Sequence, residues 1–243
     1  MISFKTRVFL SSVPLKKIGT NGLPQSIASG CLINYGGKRI LLTVSHATKN
    51  QGKWAIELRY ERGRGTQLYG LGAMRFLMKG SLTSSKLTKL DFSYVAIPES
   101  ICAYRQEIIP PDTVKSEIPI SIHTPNFAAQ PSSTLQYGFC GLVKPTLEEH
   151  FGKTYLAGEL KTYVGLTYLR SDDDYHVFKL PTPHEGHEHF QGCSGAPVLD
   201  EAGNVVGLVC SGDIPTDEIW AFAVARYRTA LDILVADDDA STT

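Results

Sequence analysis

The sequence has no excess of charge of either sign and no long apolar run. Its 243 residues carry 24 Lys and Arg against 24 Asp and Glu, and no cluster of Lys or Arg suggests a nucleic-acid or anionic-membrane surface. No apolar stretch is long enough to span a bilayer. Charged residues interrupt the apolar ones in residues 1–10, which predicts an opening β-strand there rather than a signal peptide. We therefore expect neither nucleic acid nor a membrane among the partners.

Cysteine is also scarce, and its spacing excludes a common role. The chain has five cysteines, which are scattered, odd in number and without the paired spacing of a zinc site. The segment from His184 to His189 contains three histidines, but they lack the His-Glu-x-x-His spacing of a zinc helix, and Pro183 and Gly186 disfavour a helix there. The sequence therefore predicts no metal ion and no other cofactor.

Short segments of alternating apolar and polar residues, separated by turns, predict an all-β fold. A chain of this length, 42% hydrophobic and 20% charged, can bury a sizeable core, and all-β folds of this size often form one unit. Apolar residues at helical spacing predict a helix over 225–234, and the polar residues 237–243 predict a disordered tail. The patterning predicts strands over 27–33, 39–43, 54–59, 92–97, 135–139, 177–180, 197–199, 205–210 and 219–224.

The most informative motif is a serine in a glycine-rich turn, Gly192-Cys193-Ser194-Gly195. Glycines allow backbone angles that other residues resist, so successive N–H groups can point into one concavity. Acyl transfer needs this arrangement, because a hydroxyl nucleophile must lie beside donors that stabilise the oxyanion. By itself, however, Gly-x-Ser-Gly also fits an ordinary hairpin turn.

Two other segments supply the groups that a serine nucleophile needs. An apolar strand, residues 40–44, leads to His46, and Asp91 precedes the alternating apolar positions of a half-buried strand. A histidine at a strand end and an aspartate before a strand are each usually structural. Together with Ser194, however, they provide a base, an orienting carboxylate and a nucleophile in the chain order His, Asp, Ser.

These segments resemble those of chymotrypsin-fold (trypsin-like) serine peptidases. Thr-Val-Ser-His-Ala around His46 is similar to the family's Thr/Ser-Ala-Ala-His-Cys. Asp-Phe-Ser-Tyr-Val from Asp91 is similar to Asp-Ile-Ala-Leu-Leu, and Gly-Cys-Ser-Gly-Ala-Pro around Ser194 is similar to Gly-Asp-Ser-Gly-Gly-Pro. The resemblance covers nearly the whole chain and implies two antiparallel β-barrels followed by a C-terminal helix.

A crossover in the proline-rich residues 110–131 divides the chain between the two expected barrels. The N-terminal barrel, residues 1–115, then carries His46 and Asp91. The C-terminal barrel and helix, residues 116–236, carry Ser194, and the disordered tail follows.

The resemblance also assigns roles to the motif residues. Asp91 orients His46, His46 removes the proton from Ser194, and the backbone N–H groups of Gly192 and Ser194 form the oxyanion hole. Cys193 is an alternative nucleophile, since some viral relatives use cysteine, but those relatives place it after Gly-x, where this chain has its serine. The cysteine that follows the histidine in secreted relatives is missing here. The disulfide framework is therefore absent, and we expect a cytoplasmic location.

Substrate-binding residues are expected beside the serine turn. Glu188, six positions before Ser194, matches the acidic pocket residue of trypsin and would favour Lys or Arg before the scissile bond. His187 or His189 would instead donate to an acidic or amide side chain, and all of these residues also fit a solvated loop. The other expected substrate-binding residues are Gln191, Cys210, Ser211 and Gly212.

We therefore predict a serine endopeptidase that hydrolyses a protein or peptide substrate through an acyl-enzyme intermediate. Cys193 replaces the acidic residue that anchors the freed N-terminus in secreted relatives, so control by narrow specificity or a regulatory protein partner is expected instead. The alternative is a catalytically silent peptidase-like domain that binds peptides or protein partners in the same cleft. An esterase-type hydrolase is disfavoured, because its nucleophile elbow requires Gly-x-Ser-x-Gly and the order Ser, Asp, His.

Overall fold

The computed structural model describes residues 2–48, 53–80, 87–109, 113–150 and 153–240. These residues form mainly antiparallel β-structure, as the alternating sequence pattern predicts. The strands make an N-terminal sheet, a closed C-terminal barrel and a two-stranded ribbon that lies between them in the sequence.

The N-terminal half is a seven-stranded antiparallel sheet. Its strands are β1 Val13–Ile18, β2 Pro24–Tyr35, β3 Lys38–Thr43, β4 Lys53–Glu61, β5 Gly65–Gly70, β6 Arg75–Lys79 and β7 Thr88–Ile97. They lie in the order β5-β4-β1-β2-β3-β7-β6. Thr43 at the end of β3 is opposite Ser93 of β7. Unlike the predicted N-terminal barrel, this sheet is not closed by strand pairing within the described residues, because β5 and β6 do not pair with each other.

The C-terminal half is a closed six-stranded barrel. Its strands are β10 Gln136–His150, β11 Lys153–Asp172, β12 Tyr175–Lys179, β13 Pro197–Asp200, β14 Val205–Asp213 and β15 Glu218–Phe222. They follow the order β10-β11-β12-β15-β14-β13, and β13 pairs back onto β10. The hairpin of β10 and β11 extends to the pair His150 and Lys153, far beyond the predicted strand 135–139. The barrel predicted for this half is confirmed.

The connection between the two halves starts later than the sequence predicts. Strands β8 (Tyr104–Ile109) and β9 (Thr113–Pro119) pair as an antiparallel ribbon, so the predicted boundary between residues 115 and 116 cuts a strand and is wrong. The proline-rich, mostly polar composition hid this strand. The connection that follows is held against β2, because the His123 N–H donates to the Leu32 carbonyl and the Asn34 N–H donates to the His123 carbonyl, both at 2.8 Å.

In the described residues, four apolar clusters form the core, three of them large. One includes Leu15 and fills the N-terminal half, and a second includes Phe139 and fills the barrel. The third lies between the halves, where Phe92 of β7 stacks on Phe222 of β15 with ring centroids 5.2 Å apart. We call this third cluster the seam. It presses the strand that carries Asp91 against the barrel.

The first ten residues do not form the predicted opening strand. Helix α1 (Phe4–Phe9) begins after Ser3, whose hydroxyl accepts a hydrogen bond from the Thr6 N–H at 3.1 Å, as a helix N-cap does. Val8 is buried against Cys140 and Leu199 of the barrel. The apolar residues of this segment lie at helical rather than strand spacing, and they cover the C-terminal half.

The C-terminal helix is confirmed, with different bounds. A 3-10 turn (Val224–Tyr227) leads into α3 (Arg228–Ala240). Residues 237–240, predicted as part of a disordered tail, therefore continue the helix, because no Gly or Pro interrupts this segment; residues 241–243 lie outside the described residues. The helix contacts the N-terminal half, where the Lys38 ammonium donates to the Val235 carbonyl at 2.9 Å. In the described part of the chain, no helix has the length and apolar character needed to cross a membrane.

Candidate active site

Ser194 lies in a compact turn that leads into β13. The Cys193 N–H donates to the Phe190 carbonyl, and the Ala196 N–H donates to the Cys193 carbonyl, both at 2.9 Å. Two successive turns therefore hold the backbone on either side of the serine. The side chain of Ser194 is partly exposed between them.

The glycines on either side of this serine are required by the space around them. Gly195 has a φ of +88°, which disfavours any residue with a Cβ, and a Cβ there would overlap the Ser29 carbonyl oxygen. At Gly192 a Cβ would lie 2.5 Å from the Leu142 carbonyl oxygen. The turn can therefore approach both β2 and β10 only because these two positions are glycine.

His46 and Asp91 come from neighbouring strands of the N-terminal sheet. His46 lies in the one-turn helix α2 (Ser45–Thr48), which follows directly after β3. Asp91 lies within β7, two residues before Ser93, which pairs with the last residue of β3. Adjacent strands are about 4.8 Å apart, so the sheet itself brings the imidazole and the carboxylate together.

A continuous chain of hydrogen bonds joins the three predicted residues. His46 Nδ1 lies 2.7 Å from Asp91 Oδ2, and His46 Nε2 lies 3.0 Å from Ser194 Oγ. Asp91 Oδ1 also accepts the backbone N–H of His46 at 2.8 Å and the Ser45 hydroxyl at 3.2 Å. The carboxylate therefore positions both the ring and the backbone of the histidine.

The electrostatics of Asp91 favour its ionised form. Burial raises the pKa of this carboxyl. The hydrogen bonds and the charge interaction with His46 lower the pKa by more than burial raises it, so the pKa lies below the ordinary value. An ionised carboxylate beside Nδ1 selects the tautomer in which Nδ1 carries the proton. Nε2 is then an acceptor, and it faces the Ser194 hydroxyl.

Ser29 of β2 connects the N-terminal half to the serine turn. Its hydroxyl donates to the Gly192 carbonyl at 2.8 Å, and its backbone N–H donates to the Ser194 carbonyl at 2.8 Å. The Ser29 carbonyl in turn accepts the Thr43 hydroxyl at 2.8 Å. One buried residue therefore holds the carbonyls of both residues whose N–H groups were predicted to form the oxyanion hole. No sequence pattern indicates this contact.

Cys193 is poorly placed to act as the alternative nucleophile. Its side chain is fully buried in the barrel core, and its thiol points to the Leu142 carbonyl at 3.6 Å. Burial raises the pKa of this thiol well above its ordinary value. The group is therefore protonated and shielded, whereas the Ser194 hydroxyl faces a base.

A cavity of about 270 Å³ opens beside Ser194. Strand β14 forms one wall through residues 209–212, which include the predicted substrate-binding residues Cys210, Ser211 and Gly212. Gln191, also predicted, contributes to the rim, and His46 lies at the same opening. The structure thus brings four of the six predicted substrate-binding residues to one cavity with the serine.

The other two predicted substrate-binding residues, Glu188 and His189, do not line this cavity. Glu188 is exposed, and both residues line a neighbouring groove next to Lys144. His189 is buried with its Nε2 2.8 Å from the Tyr163 hydroxyl and 3.0 Å from Glu185. The assignment of Glu188 to the base of the pocket is therefore wrong. The loop turns at Gly186 (φ +103°), and counting positions back from the serine does not account for that turn.

His184 is the residue in this cavity that the sequence reasoning missed. Its side chain is buried, packs on Phe190 with ring centroids 4.6 Å apart, and lines the cavity together with His187. The histidine-rich segment is evident in the sequence, and His187 is one of its two expected donors. Which of its histidines turns inward depends on the path of the loop, which no local pattern specifies.

Comparison with known proteins places the fold but not the activity. No protein-family model matches the sequence, and no curated relative matches it. Among solved structures, a serine endoprotease from Yersinia pestis is similar, with 12% identity, a TM-score of 0.56 and coverage of 98% of this chain and 68% of that one. Human heparin binding protein shares 14% identity at a TM-score of 0.56, over 93% of this chain and 91% of its own. The protein GrC shares 10% identity at a TM-score of 0.57, over 97% of both chains.

These similarities each extend over more than nine-tenths of this chain. The chain therefore has the chymotrypsin-like, peptidase-type fold that its three sequence segments predict.

Proposed function

We propose that the protein is a serine endopeptidase that cleaves peptide bonds through an acyl-enzyme intermediate on Ser194. The observation that carries this proposal is the hydrogen-bond chain from Asp91 through His46 to the Ser194 hydroxyl. This constellation has the geometry of nucleophile, base and orienting carboxylate that acyl transfer requires, and its chemistry is that of a Ser-His-Asp triad.

In the first half-reaction Ser194 Oγ attacks the substrate carbonyl carbon while His46 Nε2 takes the hydroxyl proton. Asp91 stabilises the imidazolium that forms and holds the ring in place. When the tetrahedral intermediate collapses, the carbon–nitrogen bond breaks and Nε2 returns the proton to the leaving amine. In the second half-reaction a water molecule attacks the acyl carbon and gives a proton to Nε2. The bond between that carbon and Ser194 Oγ then breaks, Nε2 returns the proton to Oγ, and the carboxylic acid product leaves.

The backbone N–H groups of Gly192 and Ser194 are the proposed donors to the oxyanion. Such a donor is typically worth about 3 kcal/mol of transition-state stabilisation. Both residues have their carbonyls hydrogen-bonded to Ser29, which holds the peptide units 192–193 and 194–195, next to the units that carry the two donor N–H groups. This anchoring supports a preorganised site.

The site, not the fold, is the basis of this proposal, because one fold supports many functions. Among the similar structures one is named a serine endoprotease and another is named for heparin binding. The proposal takes its substrate class, a protein or peptide, from the resemblance of the segments around His46, Asp91 and Ser194 to those of serine peptidases. It also includes a cytoplasmic location and control by a regulatory partner or narrow specificity, and the free state of all five cysteines is compatible with a reducing compartment.

Labelling with a fluorophosphonate probe tests the proposal directly. We expect covalent labelling of the wild-type protein at Ser194, none in Ser194→Ala, and wild-type labelling in the control Ser26→Ala, because Ser26 is exposed on β2. Prior treatment with a thiol-alkylating reagent should leave labelling unchanged, since Cys193 is buried. Peptide cleavage should fall on the order of 10⁶-fold in Ser194→Ala.

Two results would argue against catalysis. If no condition or added partner gives labelling, the catalytically silent peptide-binding domain becomes the better interpretation. If Ser194→Ala retains labelling and cleavage, another nucleophile is responsible.

A further inference from the structure

The wall of the cavity beside Ser194 contains a buried polar atom without a partner among the described residues. Nε2 of His184 is buried and makes no hydrogen bond among the described residues, and only 7% of the residue is exposed. Buried polar groups are rarely left unpaired, and an exception in a cavity is a reason to look for a ligand. The atom lies against Gly212, and a Cβ at that position would overlap it. The imidazole can therefore approach β14 this closely only because residue 212 is glycine.

The hydrogen bond on the other ring nitrogen shows that Nε2 is a donor. The Gly186 N–H donates to His184 Nδ1 at 3.0 Å. Nδ1 is therefore an acceptor without a proton, and the neutral imidazole must carry its proton on Nε2. The His184 backbone is also fixed, because its N–H donates to Asp217 Oδ1 at 2.8 Å. The wall of the cavity thus holds one oriented N–H, next to Gly212, that needs an acceptor.

The charges around the cavity distinguish between a neutral and an anionic acceptor. No Lys or Arg lines it among the described residues. Burial lowers the pKa of His184, and the neighbouring His187 and His189 lower it further, whereas Asp217 and Asp213 raise it; the net direction is downward. The ring is therefore neutral at neutral pH. A carboxylate would enter without a cationic partner, which is costly in a buried site, so a carboxamide fits better.

We propose that this cavity binds the substrate side chain that precedes the scissile bond and that it selects glutamine, whose carboxamide oxygen accepts a hydrogen bond from Nε2 of His184. This proposal rests on the proposed endopeptidase function, because it places the main-chain carbonyl carbon of the glutamine at Ser194. Ser211, which also lines the cavity, carries a hydroxyl that can accept from the carboxamide NH₂. Phe190 supplies an apolar face for the methylene groups.

The test uses peptides that differ only in the residue before the scissile bond: Gln, Glu, Met, Leu and Lys. We expect kcat/KM for Gln to exceed that for Met, which has a similar shape without the carboxamide, by at least about 10-fold. In His184→Phe, which keeps an aromatic ring but removes the donor, the Gln peptide should lose this advantage while the Met peptide changes little. Glu188→Gln, exposed in the neighbouring groove, should keep the wild-type profile.

Fluorophosphonate labelling separates failure of the pocket assignment from failure of the endopeptidase proposal. If His184→Phe is labelled like wild type but has lost the Gln preference, the assignment is supported. If wild type is labelled yet prefers Glu, Lys or apolar residues, or if His184→Phe retains the Gln preference, the assignment is overturned and the catalytic proposal stands.

Should the protein show neither labelling nor cleavage, binding still decides the pocket. Peptides ending in Gln, Glu or Leu can be titrated into protein carrying ¹⁵N-labelled histidine. Tighter binding of the Gln peptide, with a downfield shift of the His184 Nε2–H proton signal, supports the assignment. Equal affinities and an unmoved signal refute it.

Discussion

The hydroxyl of Ser29 should be important for the rate of catalysis, although it is outside the three catalytic residues. It is the side-chain group that ties the Gly192 carbonyl to β2, at 2.8 Å, and Ser29 is only 2% exposed. Ser29→Ala removes this donor but keeps the backbone N–H that holds the Ser194 carbonyl. We therefore expect the 192–193 peptide unit, which lies between the two proposed oxyanion donors, to lose an anchor while the nucleophile stays in position.

The size of the effect follows from the hydrogen bond that is lost. Leaving a buried acceptor without its donor costs about 1–3 kcal/mol. If all of that cost falls on the transition state, kcat drops by about 5- to 150-fold. Because the oxyanion develops only during the reaction, KM should change little. The part of the cost that falls on the folded ground state should appear as a lower melting temperature.

Steady-state kinetics and thermal unfolding of the same variants separate these contributions. Ser26→Ala is a matched control, since it removes a hydroxyl from the same strand at an exposed position. Ser29 acts through the Gly192 peptide and is a positioning residue, so the split between kcat and KM is the decisive readout. A Ser29→Ala protein with wild-type kcat and a lower melting temperature would show that the contact is only structural.

Three further predictions concern Asp91, the helix α3 and the contact between the halves. The pKa of Asp91 is lower in the folded protein than its ordinary value; its contribution to stability is therefore present above about pH 4. This contribution is lost as the pH falls below that value. The stability of Asp91→Asn should therefore depend less on pH in acid than that of wild type, and the same pH dependence of stability in both proteins would contradict the prediction. Leu231→Ala should reduce the free energy of unfolding by about 2–5 kcal/mol, because Leu231 is fully buried in the seam; the exposed Ile233→Ala should have a small effect, and equal losses in urea unfolding would show that α3 is not docked. Lys79 of β6 pairs with Asp173 and Asp174 at 2.9 and 3.2 Å, so Lys79→Met should lower the melting temperature slightly in low salt and not in high salt. A salt-independent loss would show that packing, not charge, is responsible.

The sequence was most informative where one local pattern determines one local structure. The strands around Leu42, Phe92 and Val198 are short apolar runs that are largely buried, and their positions were predicted within a few residues. The turn at Ser194 was found because Gly195 needs a backbone angle that the residue type itself reveals. The order His, Asp, Ser then allowed His46 and Asp91 to be placed together before any distance was known.

The sequence was least informative where polar residues form regular structure. Strand β11 (Lys153–Asp172) is stabilised by pairing along its whole length with β10, and its composition has too little alternation to show this. Helix α1 was predicted as a strand because charges interrupt its apolar residues. Serine, however, is a favoured N-cap residue, and Ser3 directly precedes the first residue of the helix. Here a capping signal was available and the alternating-charge interpretation was wrong.

The pocket residues were hardest to predict, and the reason is geometric. Glu188, His189 and His184 lie within six positions, and each has a side chain that can bind substrate. Their surroundings differ because the loop turns at Gly186. His184 is buried against β14 and His189 is buried against Tyr163, whereas Glu188 is exposed to solvent. Only the three-dimensional path of the chain distinguishes these outcomes.

The site is built across the seam between the two halves, so its geometry depends on their docking. His46 and Asp91 belong to the N-terminal sheet and Ser194 to the barrel, and the 3.0 Å distance from His46 Nε2 to Ser194 Oγ spans them. Ser29 bridges the same boundary next to the serine, and Phe92 stacks on Phe222 behind Asp91. Because both halves also have their own cores, a small shift of one against the other can separate the base from the nucleophile without unfolding either. Activity should therefore respond to changes at the seam more steeply than stability does.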